Sequence, residues 1–409
     1  MLNLPREVLE ILNKIKAANF KAYCVGGSIR DLLLGKETHD FDFATNATPN
    51  QIKHIFRNYF ILTIGEKYGT ITVQYNENFY EITTFRKETI YEDYRRPKMV
   101  EFTDDLYTDL SRRDFTINAF AYNQEEGLID YFNGLEDLHK KIIRCVGDPM
   151  KRFNEDALRI IRAIRFAISL GFMIDDKTLE AMKKLKNNLQ YISIERLRNE
   201  FFKILLYLNY ESWIKYKEYF VVFLPQLTQI QDDEYLFKVY ENLEQDPLVR
   251  LAFLFAKSKI NAIEVMTSLK CSRKEIKIVT TITNYLNIQM ANSKPFIKRI
   301  IRKVPIEIFD KVLNIHLVIA KVNRDIMYEQ IVNDCKKLLN EIITNNEPYS
   351  FKDLAITGND LLEMGLEEGT IIYKILNQCL QIVIDNPNLN NKEYLVSYVK
   401  DIFLQLEKE

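Results

Sequence analysis

The sequence lacks the long apolar runs that cross a membrane and is poor in residues that interrupt regular structure. Its longest apolar runs, such as residues 219–225, are far shorter than the roughly 20 residues that a bilayer requires. Glycine and proline number only 12 and 10 among 409 residues, which argues against low-complexity linkers. Residues 1–7 are charged and amphipathic, unlike a signal peptide. These absences predict a globular protein of the cytoplasm without membrane contact.

Cysteine is scarce and follows no metal-binding pattern. The five cysteines are an odd number, are widely spaced and include no Cys-x-x-Cys pair. A disulfide framework needs paired cysteines and a zinc site needs closely spaced ligands, so the sequence favours neither. The pattern indicates reduced thiols, in agreement with a cytoplasmic location.

The chain also lacks an excess of charge of either sign. Lysine plus arginine number 56 and aspartate plus glutamate 57, for a net charge of −1. The molecule is therefore no polycation, although a local basic stripe is enough to bind nucleic acid. At 409 residues the chain is too long for one ordinary core, which predicts two or more domains.

One short stretch carries the strongest chemical signal. In residues 39–45, Asp40 and Asp42 alternate with Phe41 and Phe43. On a β-strand this alternation puts both carboxylates on one face and both phenyl groups on the other, core-facing side. Two carboxylates this close repel each other unless a cation lies between them, and Mg2+ prefers oxygen ligands that it shares with substrate phosphates. The alternative is a solvated strand edge.

A Gly26-Gly27 turn lies just before this stretch and leads into a short helical pattern. Backbone N–H groups at such a helix start can hold a phosphate. A phosphate cradle followed by an Asp-x-Asp strand predicts metal-assisted phosphoryl or nucleotidyl transfer. Glu81, on a later predicted strand, is a candidate third carboxylate, with a surface strand residue as the open alternative.

Two further segments before residue 145 bear on function. Residues 86–100 are densely charged and lack periodicity, which predicts a mobile loop beside the site, with a solvated hairpin as the alternative. Arg113, Asp114 and Asn118 can supply a phosphate donor, a hydroxyl acceptor and an amide to a ribose triphosphate. The alternative for the arginine and the aspartate is a surface salt bridge.

After residue 145 the sequence predicts a succession of helices, and the first of them carries information about function. Asp156, Arg159, Arg162 and Arg165 recur every three residues, so they are predicted to form one ridge on one helix face. Three arginines against one aspartate leave excess positive charge. The ridge is interpreted as a face that binds anions and bases, with a helix carrying i,i+3 ion pairs as the alternative.

The pair Asp156 and Arg159 has a specific chemical meaning. Cytosine and adenine each present an amino donor beside a ring-nitrogen acceptor on the Watson–Crick edge, whereas uracil and guanine present a carbonyl beside an N–H. A carboxylate next to a guanidinium therefore matches C and A, and it leaves polar groups of U and G unpaired at roughly 1–3 kcal/mol each. Such a pair can select two nucleotides without a template.

Taken together, these motifs resemble those of the class II tRNA nucleotidyltransferases, or CCA-adding enzymes, whose superfamily includes bacterial poly(A) polymerases. The matching segments are Gly26-Gly27-x-x-Arg30-Asp31, Asp40-Phe41-Asp42, Arg112-Arg113-Asp114-Phe115-Thr116-Ile117-Asn118-Ala119, Glu155-Asp156-Ala157-Leu158-Arg159-x-x-Arg162 and Ile194-Glu195-Arg196. The tail segment Ile356-Thr357-Gly358-x-Asp360-Leu361 resembles the bacterial branch that lacks an appended phosphohydrolase domain.

The resemblance implies an α+β fold. A small polymerase-β-like nucleotidyltransferase head with a mixed sheet would be followed by an all-helical neck, body and tail. The implied boundaries are a head over 1–145, a neck that recognises the nucleotide base over 146–205, a body over 206–300 and an RNA-binding tail over 301–409.

The resemblance further implies untemplated addition of C, C and A to tRNA 3′ ends from CTP and ATP by two-metal nucleotidyl transfer. Asp40 and Asp42 would be the catalytic residues and would hold Mg2+. The nucleotide-binding residues would be Gly27, Arg30, Arg113, Asp156, Arg159, Arg162 and Arg165. Residues 93–97 resemble the flexible loop that the family needs to switch from C to A addition.

Three alternatives stay open. A poly(A) polymerase, or an enzyme that adds only CC or only A, shares most of these motifs. A non-catalytic RNA-binding module on the same fold would lack a metal carboxylate, a loss that is not seen in this sequence. The oligomeric state is also open, with a homodimer among the possible assemblies.

Overall fold

The computed structural model describes residues 2–91, 97–367 and 369–406. The chain divides into two compact units, Met1–Pro225 and Gln226–Glu409. The first contains a mixed sheet followed by helices, and the described part of the second is helical. The predicted α+β class is therefore confirmed, whereas the finer division at residues 145, 205 and 300 stays a prediction.

Strands and helices alternate in the first part of the first unit, and helices dominate after residue 148. The elements are α1 Arg6–Ala17, β1 Ala22–Val25, α2 Gly27–Leu33, β2 Asp42–Thr45, α3 Pro49–Ile55, β3 Ile61–Leu62, β4 Thr70–Tyr75, β5 Asn78–Thr84, β6 Arg86–Tyr91, β7 Pro97–Phe102, α4 Leu106–Ser111, β8 Ala121–Asn123, β9 Gly127–Ile129, α5 Gly134–Lys140, β10 Ile142–Ile143, α6 Pro149–Glu155, α7 Leu158–Leu170, β11 Met173–Ile174, α8 Asp176–Leu185, α9 Ile194–Leu205 and α10 Tyr210–Val221.

The described residues form a seven-stranded sheet in the spatial order β3-β4-β5-β2-β1-β8-β9. Neighbouring strands are antiparallel except β2 and β5, which run parallel with Asp42 opposite Glu81. β2 is therefore the central strand, and its first residue is one of the two predicted metal ligands. A separate two-stranded pair, β10 and β11, is parallel.

One face of the sheet is covered by α1 and α3. Phe43 and Ile82 from the sheet pack there with Ile11 of α1 and Ile52 of α3 in one buried cluster. These apolar positions alternate with polar ones along the strands, which is the pattern of a sheet with one buried face. Local signals fix the ends of the covering helices, for example Gln51, which accepts a hydrogen bond from the Thr48 backbone N–H at the start of α3.

The opposite face is covered over its central strands by α4. Leu106 and Leu110 of this helix pack with Val25 of β1, Ala44 of β2 and Ala121 of β8. Asp42 lies on this same face, because Asp42 and Ala44 are two residues apart on one strand. The helix that covers this face also leads directly into the Arg112-Arg113-Asp114 segment.

Over the residues that the structure describes, the segment 86–100 is a hairpin, the alternative to the predicted loop. β6 pairs antiparallel with β7, with Arg86 opposite Phe102. Register shifts between Glu88 and Ile90 and between Ile90 and Tyr91 break the two-residue period that a sequence pattern would show. Of the segment 93–97, which resembles the family's flexible loop, residues 93–96 lie outside the described residues.

The first helical segment after the sheet is two helices, not one. α6 ends before Asp156, whose φ of −148° and ψ of 101° are extended, and α7 begins at Leu158. The predicted ridge is therefore wrong at Asp156 and correct for the three arginines of α7. The cause is local, since the Asp156 carboxylate accepts a hydrogen bond from the Leu158 backbone N–H at 3.1 Å and so starts a new helix.

The second unit is built from further helices. They are α11 Glu234–Glu241, α12 Pro247–Ser258, α13 Ala262–Ser268, α14 Arg273–Tyr285, α15 Lys294–Ile301, α16 Ile306–Asn323, α17 Ile326–Thr344, α18 Gly358–Glu363, α19 Thr370–Asp385 and α20 Lys392–Leu406. Its last part has a buried cluster of its own that includes Leu361, Leu380 and Leu395. Over the described residues, no helix combines the length and the hydropathy that crossing a membrane would take.

Candidate active site

Asp40 and Asp42 lie where the central strand begins. β2 starts at Asp42, and Asp40 precedes it by two residues. Both residues are exposed, whereas Phe41 and Phe43 are buried in the core. The predicted alternation is thus present, although only Asp42 belongs to the paired strand, because the pairing with β1 ends where Val25 lies opposite Asp42.

The negative charges of Asp40, Asp42 and Glu81 repel one another. Although Asp42 is open to solvent, desolvation by the surrounding protein raises its pKa to about 6, with a further contribution from the charge of Asp40. Glu81, opposite Asp42 on β5, adds to the repulsion, whereas Arg113 acts in the other direction. A carboxylate whose charge is disfavoured in this way gains most when a cation binds.

A metal at this point would take only part of its ligands from the protein. Among the residues that the structure describes, no group of three or more His, Cys, Asp or Glu side chains could hold a metal ion. Asp40 and Asp42 supply hard oxygen donors, and Mg2+ commonly completes its shell with water and substrate phosphates. The two carboxylates therefore fit Mg2+, and a ligand role for Glu81 stays a prediction.

Gly26 brings the backbone that follows β1 close to Asp42. Its φ of 80° and ψ of −139° form a combination that glycine alone adopts readily. A Cβ atom here would lie 3.1 Å from Nη1 of Arg113 and 4.0 Å from Oδ2 of Asp42, so the three residues border one small space. Gly27, a predicted nucleotide-binding residue, begins α2. It has more room, since a Cβ atom there would meet Nη2 of Arg30 at 3.4 Å.

Arg30 is buried and held from three directions. Its guanidinium donates to both carboxylate oxygens of Asp31 at 2.9 Å and to Oδ1 of Asn118 at 2.6 Å. Its Cζ atom lies 5.1 Å from the ring centre of Phe166 in α7. The position of this predicted phosphate donor is therefore fixed by the protein alone.

Arg113 is anchored by a buried carboxylate that the sequence analysis missed. Asp109 in α4 is 1% exposed, and its Oδ1 accepts from Nη2 of Arg112 at 2.7 Å. Its Oδ2 lies 3.6 Å from Nη2 of Arg113. Burial opposes the charge of Asp109, but the two arginines outweigh burial and hold its pKa below the ordinary value. The i,i+3 and i,i+4 spacing to the arginines is the signal that could have revealed it.

Asp114 binds the helical segment and is not available as a simple hydroxyl acceptor. Its Oδ2 accepts from Nε and Nη2 of Arg162 at 2.8 and 2.7 Å. Its Oδ1 accepts from the Phe115 backbone N–H at 2.8 Å and from Asn118 at 3.2 Å. Burial alone would raise the pKa of Asp114, but Arg162 and these hydrogen bonds hold it at about 2. Asp114 therefore positions Arg162.

The positive charge of the α7 ridge is balanced, contrary to the excess expected from the sequence. Glu200 of α9 accepts from Arg162 at 3.3 Å and from Arg165 at 2.6 Å, and Asp114 also pairs with Arg162. Phe166 lies beneath these side chains, with its ring centre 3.9 Å from Cζ of Arg165 and 5.5 Å from Cζ of Arg162. Together with Arg30, three guanidinium groups thus surround one buried ring.

Asp156 and Arg159 are both oriented by other residues. Arg196 of α9 donates to Oδ1 of Asp156 at 3.2 Å and to Oδ2 at 2.7 Å. Arg159 is buried and donates through Nη2 to the carbonyl oxygen of Arg112 at 2.7 Å, and through Nη1 to Glu155 at 3.3 Å. Arg159 therefore connects α7 with the segment that carries Arg113.

The structure sorts the predicted site residues into three groups. Asp42 and Arg113 come together at Gly26, and Asp40 lies close enough to Asp42 to raise its pKa, while Arg30, Arg162 and Arg165 surround Phe166. Asp156 and Arg159 sit at the break between α6 and α7. The residues that sequence reasoning missed are Asp109, Phe166 and Glu200.

Models of known protein families match three parts of the chain. The poly(A) polymerase head domain matches residues 22–144, and tRNA nucleotidyltransferase domain 2 matches residues 243–399. A probable RNA and SrmB-binding site of polymerase A matches residues 171–216. The first of these contains Asp40, Asp42 and Arg113, and the third contains Arg196.

Similarity to individual proteins extends over the whole chain. The CCA-adding enzyme of Streptococcus pneumoniae (strain CGSP14) is 36% identical over 408 residues, which cover 97% of this chain and 97% of that protein. This chain belongs to the CCA-adding enzyme family. A second member, the CCA-adding enzyme of Leuconostoc citreum (strain KM20), is 35% identical over 415 residues, covering 98% and 97% of the two chains.

A solved member of the family has the same fold. The crystal structure of the Bacillus stearothermophilus CCA-adding enzyme in complex with CTP superposes with a TM-score of 0.80 over 98% of each chain, at 27% identity. The resemblance drawn from the sequence motifs is confirmed. Membership of the CCA-adding family makes the protein a nucleotidyltransferase.

Proposed function

We propose that this protein adds C, C and A in turn to the 3′ ends of tRNA, using CTP and ATP and no template. The similar proteins are named CCA-adding enzymes, and the similar crystal structure contains CTP. The observation that carries the proposal is the convergence of Asp42, Gly26 and Arg113 on one space beside Asp40. Oxygen ligands for a metal and a donor for a phosphate then meet at one point, as nucleotidyl transfer requires.

Asp40 and Asp42 would hold Mg2+ during the reaction. Their oxygen donors suit this ion, and the raised pKa of Asp42 marks a charge that a cation would relieve. Two bound Mg2+ ions would stabilise the negative charge on the attacking and leaving oxygens.

The arginines would hold the triphosphate in a fixed orientation. Arg113 reaches the space beside Asp42 and would donate to a phosphate or ribose oxygen there. Arg30 is already fixed by Asp31 and Asn118, so little rearrangement is needed when the ligand binds. Because Glu200 and Asp114 balance Arg162 and Arg165, these two would contribute shape and directed N–H groups more than net charge.

Asp156 and Arg159 would select the base. Among the described contacts, Oδ2 of Asp156 accepts only from Arg196, which leaves it a lone pair for the amino group of cytosine or adenine. The guanidinium of Arg159 has five N–H donors, more than its described contacts use, and one of them can donate to the adjacent ring nitrogen. Uracil and guanine would present the wrong groups to both residues.

The proposal is tested by supplying the protein with Mg2+, a tRNA transcript that lacks its terminal CCA, and CTP, ATP, UTP or GTP singly or in combination. We expect two C residues from CTP alone and complete CCA when ATP is also present. Incorporation of UTP or GTP as readily as CTP would contradict base selection by Asp156 and Arg159. Full activity of the Asp42→Ala variant would remove the metal argument.

The same assay separates the alternatives within the superfamily. Long A tails on an unstructured RNA, with CTP ignored, would identify a poly(A) polymerase. Addition that stops after CC, or that needs a CC end before A is added, would identify a partial enzyme. Wild-type protein that adds no nucleotide to any RNA would leave a non-catalytic RNA-binding module.

A further inference from the structure

One part of the head sheet presents an open face next to the carboxylates. Asp42 lies opposite Glu81 of β5, Glu81 lies opposite Thr72 of β4, and Thr72 lies opposite Leu62 of β3. Residues that are directly opposite each other in a sheet point to the same face. The row from Asp42 to Leu62 therefore crosses four strands on the face that bears the candidate active site.

Two large aromatic side chains stand beside this row. Phe79 precedes Glu81 by two residues and Phe60 precedes Leu62 by two residues, so both share its face. Phe79 is 54% exposed and Phe60 is 59% exposed, and their ring centres are 6.5 Å apart at an angle of 77°. Tyr80, the next residue on β5, is buried on the other face, so the exposure is a property of this face and not of a loose strand.

Strand β1 lies on one side of Asp42 and strand β5 on the other, and these two sides, the β1 flank and the β5 flank, differ. On the β1 flank, Gly26 and Arg113 border the carboxylate, and Leu110 of α4 covers the strands. On the β5 flank, the row leads from Glu81 to the exposed Phe79. In an in-line nucleotidyl transfer the attacking hydroxyl and the leaving pyrophosphate lie on opposite sides of the reacting phosphorus. A triphosphate on the β1 flank therefore directs the attacking RNA end to the β5 flank.

We infer that Phe60 and Phe79 form a stacking platform for the bases at the 3′ end of the acceptor RNA, an inference that rests on the proposed function. From strand spacing and rise, the backbone of Phe79 is roughly 8 Å from that of Asp42. This separation suits a base close to the reacting hydroxyl. Single-stranded bases stack on exposed aromatic rings without regard to sequence, which suits an end that changes with each addition.

The surroundings of the rings favour RNA over a protein partner. Gln74 lies opposite Phe79 and Thr72 lies opposite Glu81, so the row beside the two rings is polar except for Leu62 at its end. A stable protein interface has a contiguous and well-packed apolar centre, which two rings on a polar sheet do not provide. This face continues to Asp42, where the RNA end must react. The RNA end is therefore the occupant that we assign to this surface.

The test measures the KM for a tRNA transcript without CCA separately from the KM for CTP. We expect Phe79→Ser and Phe60→Ser combined to raise the KM for tRNA by about 10- to 100-fold, because stacking contributes this much per base. The KM for CTP should stay within about twofold, because the CTP contacts lie on the other flank. Tyr107→Ser and Tyr131→Ser combined are the matched control, since these tyrosines are 51% and 47% exposed and their rings also pack edge to face, with ring centres 5.4 Å apart.

Two further variants separate stacking from simple apolar contact. Phe79→Trp should retain the wild-type KM for tRNA, whereas Phe79→Leu should raise it, because only an aromatic ring stacks on a base. A 2-aminopurine base at the 3′ terminus of the RNA should be quenched on binding to the wild type and not to the double serine variant. This fluorescence readout needs no turnover.

The outcomes also distinguish this inference from the proposed function. If the wild type adds CCA but the double variant keeps its KM for tRNA and its quenching, the platform is wrong and the proposed function stands. If Phe79→Leu behaves like the wild type, the rings make an apolar contact and do not stack, which overturns the inference. If the wild type adds no nucleotide to any RNA, the proposed function itself fails.

Discussion

At the scale of single residues, Gly26 is the position where the backbone depends most on the absence of a side chain. Gly26→Ala must hold a φ of 80° and a ψ of −139° with a Cβ 3.1 Å from Nη1 of Arg113. We expect a loss of about 1–3 kcal/mol in the free energy of unfolding. Activity should also fall, because Arg113 is displaced from Asp42. Urea denaturation and a tRNA end-labelling assay measure the two effects.

Gly27→Ala is the matched control for this prediction. Gly27 lies at the start of α2, and its Cβ would meet nothing closer than 3.4 Å. Alanine at a compatible helical position is neutral or stabilising by about 0.4–1 kcal/mol. Equal destabilisation by the two substitutions would show that the backbone of Gly26 is not the cause.

Asp42→Asn should abolish activity and yet stabilise the metal-free protein. The folded state raises the pKa of Asp42 from 3.8 to about 6, so ionisation disfavours folding above pH 3.8 and the full penalty is present above about pH 6. Asparagine carries no such penalty. We expect a higher Tm than wild type at pH 8 in EDTA, and a smaller difference at pH 4.

The measurement is a thermal melt of both proteins with and without Mg2+. If the native carboxylates hold Mg2+ as proposed, the added ion should raise the Tm of the wild type more than that of Asp42→Asn. A variant that melts below the wild type at pH 8 in EDTA would contradict the electrostatic reading of Asp42.

At the scale of secondary-structure elements, α9 serves as a support for α7. Arg196→Lys removes the two-point hydrogen bond to Asp156, because an ammonium group cannot reproduce the planar fork of a guanidinium. We expect discrimination between CTP and UTP to fall by about 10-fold, in line with the loss of one oriented polar contact. Single-nucleotide incorporation assays give kcat/KM for each nucleotide.

Arg198→Lys on the same helix is the control, because Arg198 donates to the side chain of its neighbour Asn199 at 3.5 Å. It should keep the selectivity of the wild type. Unchanged selectivity in Arg196→Lys would mean that Asp156 reads the base without help from α9.

Phe166 in α7 is expected to act through the guanidinium groups around it. Phe166→Leu should lower the free energy of unfolding by about 1–2 kcal/mol and raise the KM for both CTP and ATP. Phe153→Leu in α6 removes an equally buried ring for which the structure describes no arginine contact. It should cost similar stability and leave both KM values unchanged. If both variants lose the same stability and show the same rise in KM, Phe166 contributes packing alone.

Elements with a strong local period could be predicted from the sequence. The alternation around Asp40 and Asp42 followed from a pattern of two residues, because a strand with one buried face must alternate, whereas the α+β class followed from the resemblance to a known family. The end of α6 could not be predicted, since the three-residue recurrence of Asp156 with Arg159 looks helical. A single hydrogen bond from the Leu158 N–H to the Asp156 carboxylate interrupts it.

The charges of the site could be predicted only in part. Three arginines on one ridge suggested a positive surface, yet Glu200 and Asp114 neutralise Arg162 and Arg165 from elements that are distant in sequence. Such partners are fixed by packing and leave no local pattern. Asp109 differs, since its i,i+4 spacing to Arg113 is visible within one short stretch of the sequence.

At the scale of the whole molecule, the two units can be observed separately. The single tryptophan, Trp213, is 1% exposed and lies in α10 of the first unit. His316 is buried in α16 of the second unit, with Nδ1 2.8 Å from the hydroxyl of Tyr328. Fluorescence of Trp213 therefore reports on the first unit, while the titration of His316 affects the second.

The second unit is expected to lose stability in mild acid. Burial, with a smaller contribution from Lys257, lowers the pKa of His316 from 6.5 to about 4, so the folded state favours the neutral ring. Above pH 6.5 His316 does not lower the free energy of unfolding. As the pH falls from 6.5 towards 4, it lowers this free energy progressively. We expect a loss of about 2 kcal/mol from His316 at pH 5.

Circular dichroism and tryptophan fluorescence, followed in urea at pH 7 and pH 5, measure this effect. The circular dichroism signal, to which the helices of both units contribute, should shift to lower urea at pH 5 by more than the fluorescence of Trp213, which reports on the first unit. His316→Gln has no titrating ring, so this part of the shift should disappear. An identical acid shift in the variant would show that His316 is not responsible.

The interruption between α6 and α7 has a consequence for how one protein could accept a pyrimidine and a purine. Asp156 lies on extended backbone between the two helices, whereas Arg159 is rigidly part of α7. Two residues on one continuous helix would keep a constant spacing and fit a base of one width. Because Arg196 of α9 holds Asp156 while Arg159 belongs to α7, a small movement of α9 against α7 would change the separation of the two residues to fit a one-ring or a two-ring base.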